Sequence, residues 1–202
     1  MIDIQKEIEK KFPNINKKDN FLKKSLFKVA KKIVHEDSIN QFLTQNAHLK
    51  GFEFVDAVLD YFDFDYTVSS SDLQNIPTSG KVVIIANHPL GGLDALCLLR
   101  LISQVRKDVK IVANDFLAGF EALNSLLIPI DNYKLRQSKN DIKKIYEALN
   151  NEEAIILFPA GEVSRATPKG IKDPAWNKGF LNFAQNSNAP ILPIFLDAKN
   201  SK

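Results

Sequence analysis

Short apolar runs alternate with amphipathic segments between residues 81 and 196, and this alternation predicts the fold. The runs are rich in Val, Ile and Leu, which favours buried strands at Lys81–Ala86, Lys110–Ala113, Ile128–Ile130, Ala154–Phe158 and Ile191–Leu196. Helices are predicted between them at Leu93–Val105, Phe116–Leu127, Lys139–Leu149 and Asn177–Ala184. Apolar strands that alternate with amphipathic helices predict an α/β fold, in which helices cover both faces of a mainly parallel sheet.

The chain before this alternation shows mainly helical periodicity. Apolar residues of Phe21–Val34 recur three, four and seven positions apart, which is typical of an amphipathic helix. Two more helices are predicted, one that begins near Asp37 and one over Gly51–Phe62. Phe64–Val68 is predicted to be a short strand.

These patterns divide the chain into a helical N-terminal region, residues 1–64, and an α/β domain, residues 65–202. A chain of 202 residues is long enough for one substantial core of this kind. The chain stops soon after its last predicted strand, which is typical of a domain with residues missing beyond Lys202.

Charge is spread unevenly along the chain. Residues 1–34 hold ten lysines and four acids, an excess of six positive charges, whereas the whole chain has a net charge of +3. Lys24, Lys28 and Lys31 lie among the polar positions of the amphipathic segment. Two interpretations stay open for this segment: a helix packed on the core with a solvated lysine face, or an interfacial helix drawn to anionic lipid.

Several classes of protein are excluded by composition. A single cysteine allows neither an internal disulfide nor a cysteine zinc site, and Cys97 in Ala-Leu-Cys-Leu-Leu is expected to be a small buried residue. No metal site is predicted. The lysines cluster without interleaved aromatic residues, so no nucleic-acid partner is expected.

The hydropathy pattern also bears on localisation. The first residues lack the apolar core of a signal peptide, and no apolar run approaches the roughly 18 residues of a membrane span. We therefore expect a cytoplasmic protein that associates peripherally with the inner face of the membrane.

The first candidate for chemistry is the turn after the strand at 81–86, Asn87-His88-Pro89-Leu90-Gly91-Gly92-Leu93-Asp94. A histidine at the carboxyl end of a buried strand, with an aspartate at the start of the next helix, suits a general base and its orienting partner. The alternative is a histidine that is only hydrogen-bonded within the loop. The pair Gly91-Gly92 favours a tight turn over a phosphate cradle, because a P-loop lysine and a third glycine are absent.

The second candidate is the loop after the strand at 154–158, where Gly161, Glu162, Ser164 and Arg165 follow Phe-Pro-Ala. In a parallel sheet this loop opens at the same carboxyl edge as His88, so the two loops can share a crevice. A guanidinium group such as that of Arg165 can bind a phosphate with two hydrogen bonds. The alternative is a solvated loop with one arginine.

Four blocks in this order resemble those of the glycerolipid acyltransferase family, which includes glycerol-3-phosphate and lysophosphatidic acid acyltransferases. The blocks are Asn-His-Pro-Leu-Gly-Gly-Leu-Asp (87–94), Ile-Pro-Ile-Asp (128–131), Phe-Pro-Ala-Gly-Glu (158–162) and Ala-Pro-Ile-Leu-Pro-Ile (189–194). Their order and their positions at the ends of predicted strands make the resemblance fairly specific.

The resemblance implies a role for each matching position. His88 would deprotonate the acceptor hydroxyl, Asp94 would orient His88, and the oxygen would attack an acyl thioester without an acyl-enzyme. The loop 158–165 would hold the polar head of the acceptor. The substrate-binding residues implied in this way are Asn87, Gly91, Gly92, Gly161, Glu162, Ser164, Arg165 and Arg136.

The sequence departs from the family pattern at three places. Five residues separate His88 from Asp94, where the family usually has four. Ala160 stands where the family usually has glutamate, and Asn132 follows the second block where an arginine is common, with Arg136 the nearest arginine. Such variants occur in the hemolysin-like subgroup, which is similar to acyltransferases of amino-acid lipids.

Three functions are compatible with these residues. The first is a peripheral acyltransferase that uses acyl-CoA or acyl carrier protein as co-substrate, needs no cofactor, and acylates a lysophospholipid, glycerol phosphate or amino-acid lipid. The second is an ester or thioester hydrolase that uses the same His88 and Asp94 to activate water. The third is a catalytically silent lipid-binding module.

Overall fold

The computed structural model describes residues 35–114, 117, 119–130, 139–167 and 170–198. Contacts group the chain into two units, Met1–Leu49 and Lys50–Lys202. Within the described residues the first unit contributes helix α1, Glu36–Gln45. The amphipathic helix predicted at Phe21–Val34 lies outside the described residues.

Five parallel strands form the central sheet of the second unit, in the order β3-β2-β4-β1-β7. The described strands are β1 (Val82–Ala86), β2 (Val109–Asn114), β3 (Leu127–Ile130), β4 (Ala154–Leu157), β5 (Arg165–Thr167), β6 (Gly170–Lys172) and β7 (Ile191–Ile194). All residues of β1 and β4 are buried, as is typical of a parallel sheet covered on both faces. The predicted parallel sheet is confirmed, and its five strands lie within two residues of their predicted bounds.

Helices cover both faces of this sheet. The described α-helices of the second unit are α2 (Phe52–Tyr61), α3 (Ser70–Gln74), α4 (Gly92–Ser103), α5 (Lys139–Asn150) and α6 (Gly179–Ser187). Helix α4 packs on β2 and α2 packs on α4, whereas α5 and α6 pack on each other and on strands of the sheet. Side chains alternate between the faces, so Val83 and Ile85 join the cluster of Ile145 and Leu149 while Ile84 points the other way.

The strand predicted at Phe64–Val68 is wrong, because this segment has no strand structure. A strand requires a ladder partner, and this segment pairs with neither of the two edge strands, β3 and β7. The Phe64 amide instead bonds the Leu59 carbonyl at 2.9 Å at the end of α2. The Tyr66 hydroxyl accepts from Gln104 at 2.6 Å.

The helix predicted at Phe116–Leu127 is confirmed only in part over its described residues: Leu117 is helical, but Gly119 and Phe120 are not. Glu121–Leu126 is a 3-10 helix, and β3 begins at the next residue. Leu123 and Leu126 are both buried, and their spacing of three suits the three-residue repeat of a 3-10 helix. Leu127 pairs with Ile111 of β2, so the ladder takes the position that the pattern gave to a helix.

The carboxyl ends of β1, β4 and β7 lie side by side, because β1 pairs with both of the other strands in parallel. The segment after β4 includes the antiparallel hairpin of β5 and β6. This topology brings three loops to one edge of the sheet. Among the described helices, none is long and apolar enough to span a bilayer.

Candidate active site

The turn after β1 is tied to the segment after β7. The Asn87 amide group donates from Nδ2 to the Leu196 carbonyl at 2.9 Å and accepts at Oδ1 from the Leu196 amide at 2.7 Å. Asn87, which was expected to bind substrate, therefore holds the base of the turn. This anchor places the next residue, His88, at the carboxyl edge of the sheet.

His88 and Asp94 meet across this turn. Their Nδ1 and Oδ2 atoms are 3.1 Å apart, and the two side chains are 16% and 2% exposed. The same Oδ2 accepts from the Leu90 amide at 2.7 Å and from the Gly91 amide at 3.0 Å. Amides at a helix N-terminus favour a carboxylate, so Asp94 caps α4 and also sets a negative charge against the imidazole.

The contact between these side chains is close but poorly aligned. Nδ1 of His88 is buried and makes no hydrogen bond, although its distance to Asp94 is within hydrogen-bond range. The angle between the two groups is therefore what falls short of a hydrogen bond. Asp94 acts on the ring as a nearby charge, and other groups must fix the ring's orientation.

Gly91 lets five residues fit between His88 and Asp94. Its φ is 76°, in the left-handed region that glycine adopts without strain. A Cβ at this position would lie 3.3 Å from Cγ2 of Val163 in the loop after β4. Helix α4 begins at Gly92, so the longer spacing is absorbed by a sharp bend just before the helix.

An aromatic ring covers one face of the His88 imidazole. The rings of His88 and Phe158 stack with their centroids 3.9 Å apart and an interplanar angle of 21°. Phe158 directly follows β4, the strand that pairs with β1. Because Nδ1 is buried against Asp94, Nε2 is the nitrogen left to exchange a proton with a bound molecule.

The loop after β4 places its polar residues in two different settings. Gly161 takes a φ of 71° in the turn, and the Ser164 amide donates to the His88 carbonyl at 2.8 Å. Glu162 and Arg165 pair with each other at the surface, 51% and 70% exposed. The structure therefore brings Ser164 to the backbone of His88 and leaves Arg165 in solvent with its own carboxylate partner.

The sequence patterns did not indicate the role of Asp173, which contacts the turn after β1, or of Trp176, which contacts Asp173. Asp173, just after β6, accepts from the His88 amide at 3.2 Å and from the Ser164 hydroxyl. Its other oxygen accepts from the Trp176 indole at 2.9 Å. The cluster Asp-Pro-Ala-Trp (173–176) could have suggested a functional position, because it combines an acidic residue with the only tryptophan of the sequence. Nothing in the local pattern indicated that it reaches the turn after β1.

Cys97 is buried on α4, as predicted. Burial raises the pKa of its thiol to about 11, and the nearby Asp94 charge acts in the same direction. A neutral, buried thiol is a poor nucleophile. Among the described residues, no three His, Cys, Asp or Glu side chains are grouped as metal ligands.

Four of the residues singled out from the sequence lie outside the described residues: Arg136, Lys24, Lys28 and Lys31. Their roles in binding substrate or membrane stay predictions.

The chain matches one protein-family model and is similar to curated lipid acyltransferases. A family model described as acyltransferase matches residues 7–202. A lyso-glycine lipid O-acyltransferase from Phocaeicola vulgatus is 31% identical over 203 residues, which cover 100% of this chain and 70% of that protein. One from Bacteroides thetaiotaomicron is 30% identical over 202 residues, with 100% and 72% covered. No solved structure matches the chain.

Proposed function

The chain belongs to the acyltransferase family, and from this premise we propose that it moves a fatty acyl group from a thioester donor to a hydroxyl of a lipid acceptor. The donor is acyl-CoA or acyl carrier protein. Both relatives are named for a lyso-glycine lipid, so an amino-acid lipid with a free hydroxyl is the first acceptor to test. The observation that carries the proposal is the contact of His88 with the buried Asp94.

The reaction needs one base, which first takes a proton from the acceptor and then gives it to the leaving group. Nε2 of His88 takes the proton of the acceptor hydroxyl while the oxygen attacks the thioester carbonyl. The carbon–sulfur bond breaks, and the leaving thiolate recovers the proton from the imidazolium. The Asp94 carboxylate stabilises the imidazolium between these steps, which its 3.1 Å distance to Nδ1 supports.

The loop after β4 is proposed to hold the polar head of the acceptor. Ser164 lies beside the His88 backbone, and Arg165 stands at the surface nearby in the chain. Because Arg165 is already paired with Glu162, an acidic head group would have to compete with that carboxylate for the guanidinium. A Cβ on Gly161 would meet open space, so the backbone of this loop is accessible at that position.

The lipid acceptor gives a reason for peripheral association with the inner face of the membrane. The excess of six positive charges in residues 1–34 supports electrostatic attraction to anionic lipid.

The test is acyl transfer by the purified protein, measured as thiol release and as acylated product by mass spectrometry. Acyl-CoA and acyl carrier protein are each offered with lyso-glycine lipid, lysophosphatidic acid or no acceptor. We expect His88→Ala to lower kcat by about 10²- to 10⁴-fold, the usual contribution of a general base. Asp94→Asn should also lower kcat, because the imidazolium loses its negative partner.

His48→Ala is the matched control, since His48 is exposed and distant in sequence from the site. It should keep wild-type rates. Thiol release that is equal with and without acceptor would assign a hydrolase instead. Full turnover by His88→Ala would remove the proposed base, and vesicle binding without any turnover would leave a lipid-binding module.

A further inference from the structure

Asp173 joins three segments of chain around His88. Its Oδ1 accepts from the His88 backbone amide at 3.2 Å and from the Ser164 hydroxyl, and its Oδ2 accepts from the Trp176 indole at 2.9 Å. These donors belong to the turn after β1, the loop after β4 and the segment before α6. One carboxylate therefore satisfies donors from three parts of the fold.

The backbone of His88 is held on both sides by this arrangement. Its amide donates to Asp173, and its carbonyl accepts from the Ser164 amide at 2.8 Å. Ser164 is itself bonded to Asp173 through its hydroxyl. The position of the His88 Cα thus depends on a closed set of contacts in which Asp173 is the shared member.

The imidazole needs such an anchor because its own side-chain contacts leave its direction open. Nδ1 faces Asp94 at 3.1 Å without a well-aligned hydrogen bond. The stack on Phe158 fixes the plane of the ring, but a ring can slide or rotate within that plane. The backbone contacts supply the remaining restraint.

We propose that Asp173 is a positioning residue for acyl transfer, which fixes the backbone of His88 so that Nε2 meets the acceptor hydroxyl. This role rests on the proposed function of His88. It acts through geometry and requires no contact between Asp173 and substrate. A displacement of about 1 Å at the base is enough to lower a rate by about 100-fold.

The role depends on one acceptor oxygen and not on the charge as such. Asn at 173 keeps an Oδ1 that can accept from the His88 amide and the Ser164 hydroxyl, while its NH₂ group cannot accept from Trp176. Ala at 173 leaves all three donors without this partner. The two variants therefore separate anchoring of His88 from the contact with Trp176.

The experiment measures kcat and KM for wild type, Asp173→Ala, Asp173→Asn and Trp176→Phe, with folding followed by thermal unfolding. We expect Asp173→Ala to lower kcat by about 10- to 100-fold, because the base is displaced. KM should change much less than kcat, because the Ser164 hydroxyl is the one group of the proposed acceptor loop that loses a contact with Asp173. Asp173→Asn and Trp176→Phe should both keep kcat within about three-fold of wild type.

A second measurement reports on the anchor without using activity. In protein labelled with ¹⁵N-histidine the three histidines give three amide signals. Asp173→Ala should shift the His88 amide signal strongly and leave those of His35 and His48 in place. Asp173→Asn should shift it much less.

The outcomes separate this role from the proposed function. An active wild type in which Asp173→Ala keeps its kcat overturns the positioning role, and so does an equal loss of kcat in the Ala and Asn variants. A drop in activity that only follows the folded fraction also overturns it. An inactive wild type overturns the proposed function. In that case a strong shift of the His88 amide signal in Asp173→Ala still supports the anchor, and an unchanged signal contradicts it.

Discussion

At the scale of single residues, the site depends on backbone freedom at one glycine. Gly91 and Gly92 are adjacent in sequence, yet only Gly91 has a positive φ, and a Cβ on it would meet Val163 at 3.3 Å. Gly92 is helical, and a Cβ on it would meet Leu117 at an ordinary 3.9 Å. The bend at Gly91 is what carries Asp94 to His88, so the two glycines are not equivalent.

Alanine at these two glycines tests this difference. Gly91→Ala should lower stability by about 1–2 kcal/mol, because alanine is strained at positive φ, and should lower kcat about 10-fold by moving Asp94. The measurements are urea unfolding and acyl transfer.

Gly92→Ala is the matched control for this prediction. It should leave stability unchanged or slightly higher, since alanine favours a helix over glycine, and should keep kcat within about two-fold. Equal effects of the two substitutions would contradict the assigned role of the bend.

Among the secondary-structure elements, a buried arginine connects the amino-terminal ends of three strands, on the side of the sheet opposite His88. Arg106 lies between α4 and β2 with its side chain 1% exposed, and it donates to both carboxylate oxygens of Asp108 at 2.7 Å. It also donates to the Gly80 carbonyl at 2.7 Å and the Glu152 carbonyl at 2.9 Å. The chain segments before β1, β2 and β4 are therefore held together at their amino ends by one guanidinium.

This contact predicts a pH dependence of stability. The hydrogen bonds from Arg106 lower the pKa of Asp108 below its ordinary value. A lowered pKa in the folded state means that stability is present above the unfolded pKa and is lost as pH falls through the folded pKa. Asp108→Asn should thus cost about 1 kcal/mol at pH 7, because Asp108 is half exposed, and the difference from wild type should shrink below about pH 4.

Urea unfolding of wild type and variant at pH 7 and pH 3 measures this effect. Asp197→Asn is the control, since Asp197 is exposed near the end of the described chain. A constant difference between wild type and Asp108→Asn at both pH values would argue against a charge effect.

Over the whole molecule, positive charge is concentrated in the first 34 residues and the rest of the chain is slightly negative. Residues 1–34 carry an excess of six positive charges, and because the net charge is +3 the rest of the chain carries an excess of three negative charges. Such an asymmetry suits a protein whose first segment faces an anionic surface.

Vesicle binding tests this arrangement. Replacement of Lys24, Lys28 and Lys31 by Glu should weaken binding to anionic vesicles by about 100-fold or more, since each lysine near such a surface contributes roughly 1 kcal/mol. Binding of the wild type should fall as salt rises. Cosedimentation with vesicles of anionic and neutral lipid measures both effects.

The control changes the same number of charges in the second unit, at the exposed residues Lys50, Lys143 and Lys178. It should bind much as wild type does. Equal losses in the two triple variants would show that only total charge matters, and an unchanged first variant would favour the packed-helix interpretation.

Features that depend on neighbouring residues were predicted from the sequence, and features that depend on residues distant in the chain were not. The five strands of the sheet were found within two residues, because each is a local apolar run. The strand predicted at Phe64–Val68 is wrong because a local pattern does not supply a ladder partner. The helix predicted at Phe116–Leu127 ends before Leu127 because Leu127 pairs with Ile111 in the sheet. The turn at 87–94 was found because its residue types and order are local.

Residue types and local spacing were enough to predict the α/β class, the burial of Cys97, the position of His88 just after the first strand and that of Asp94 in the first turn of the next helix. Each of these features depends on residues within a few positions of one another. The three-dimensional fold was needed to show that Phe158 stacks on the imidazole, that Asp173 accepts from the His88 amide and that Arg165 pairs with Glu162. The first two of these contacts join residues 70 and 85 positions apart, and hydrophobic periodicity carries no information about such pairs. They exist because parallel strands distant in sequence end at one edge, where their loops must satisfy one another's polar groups.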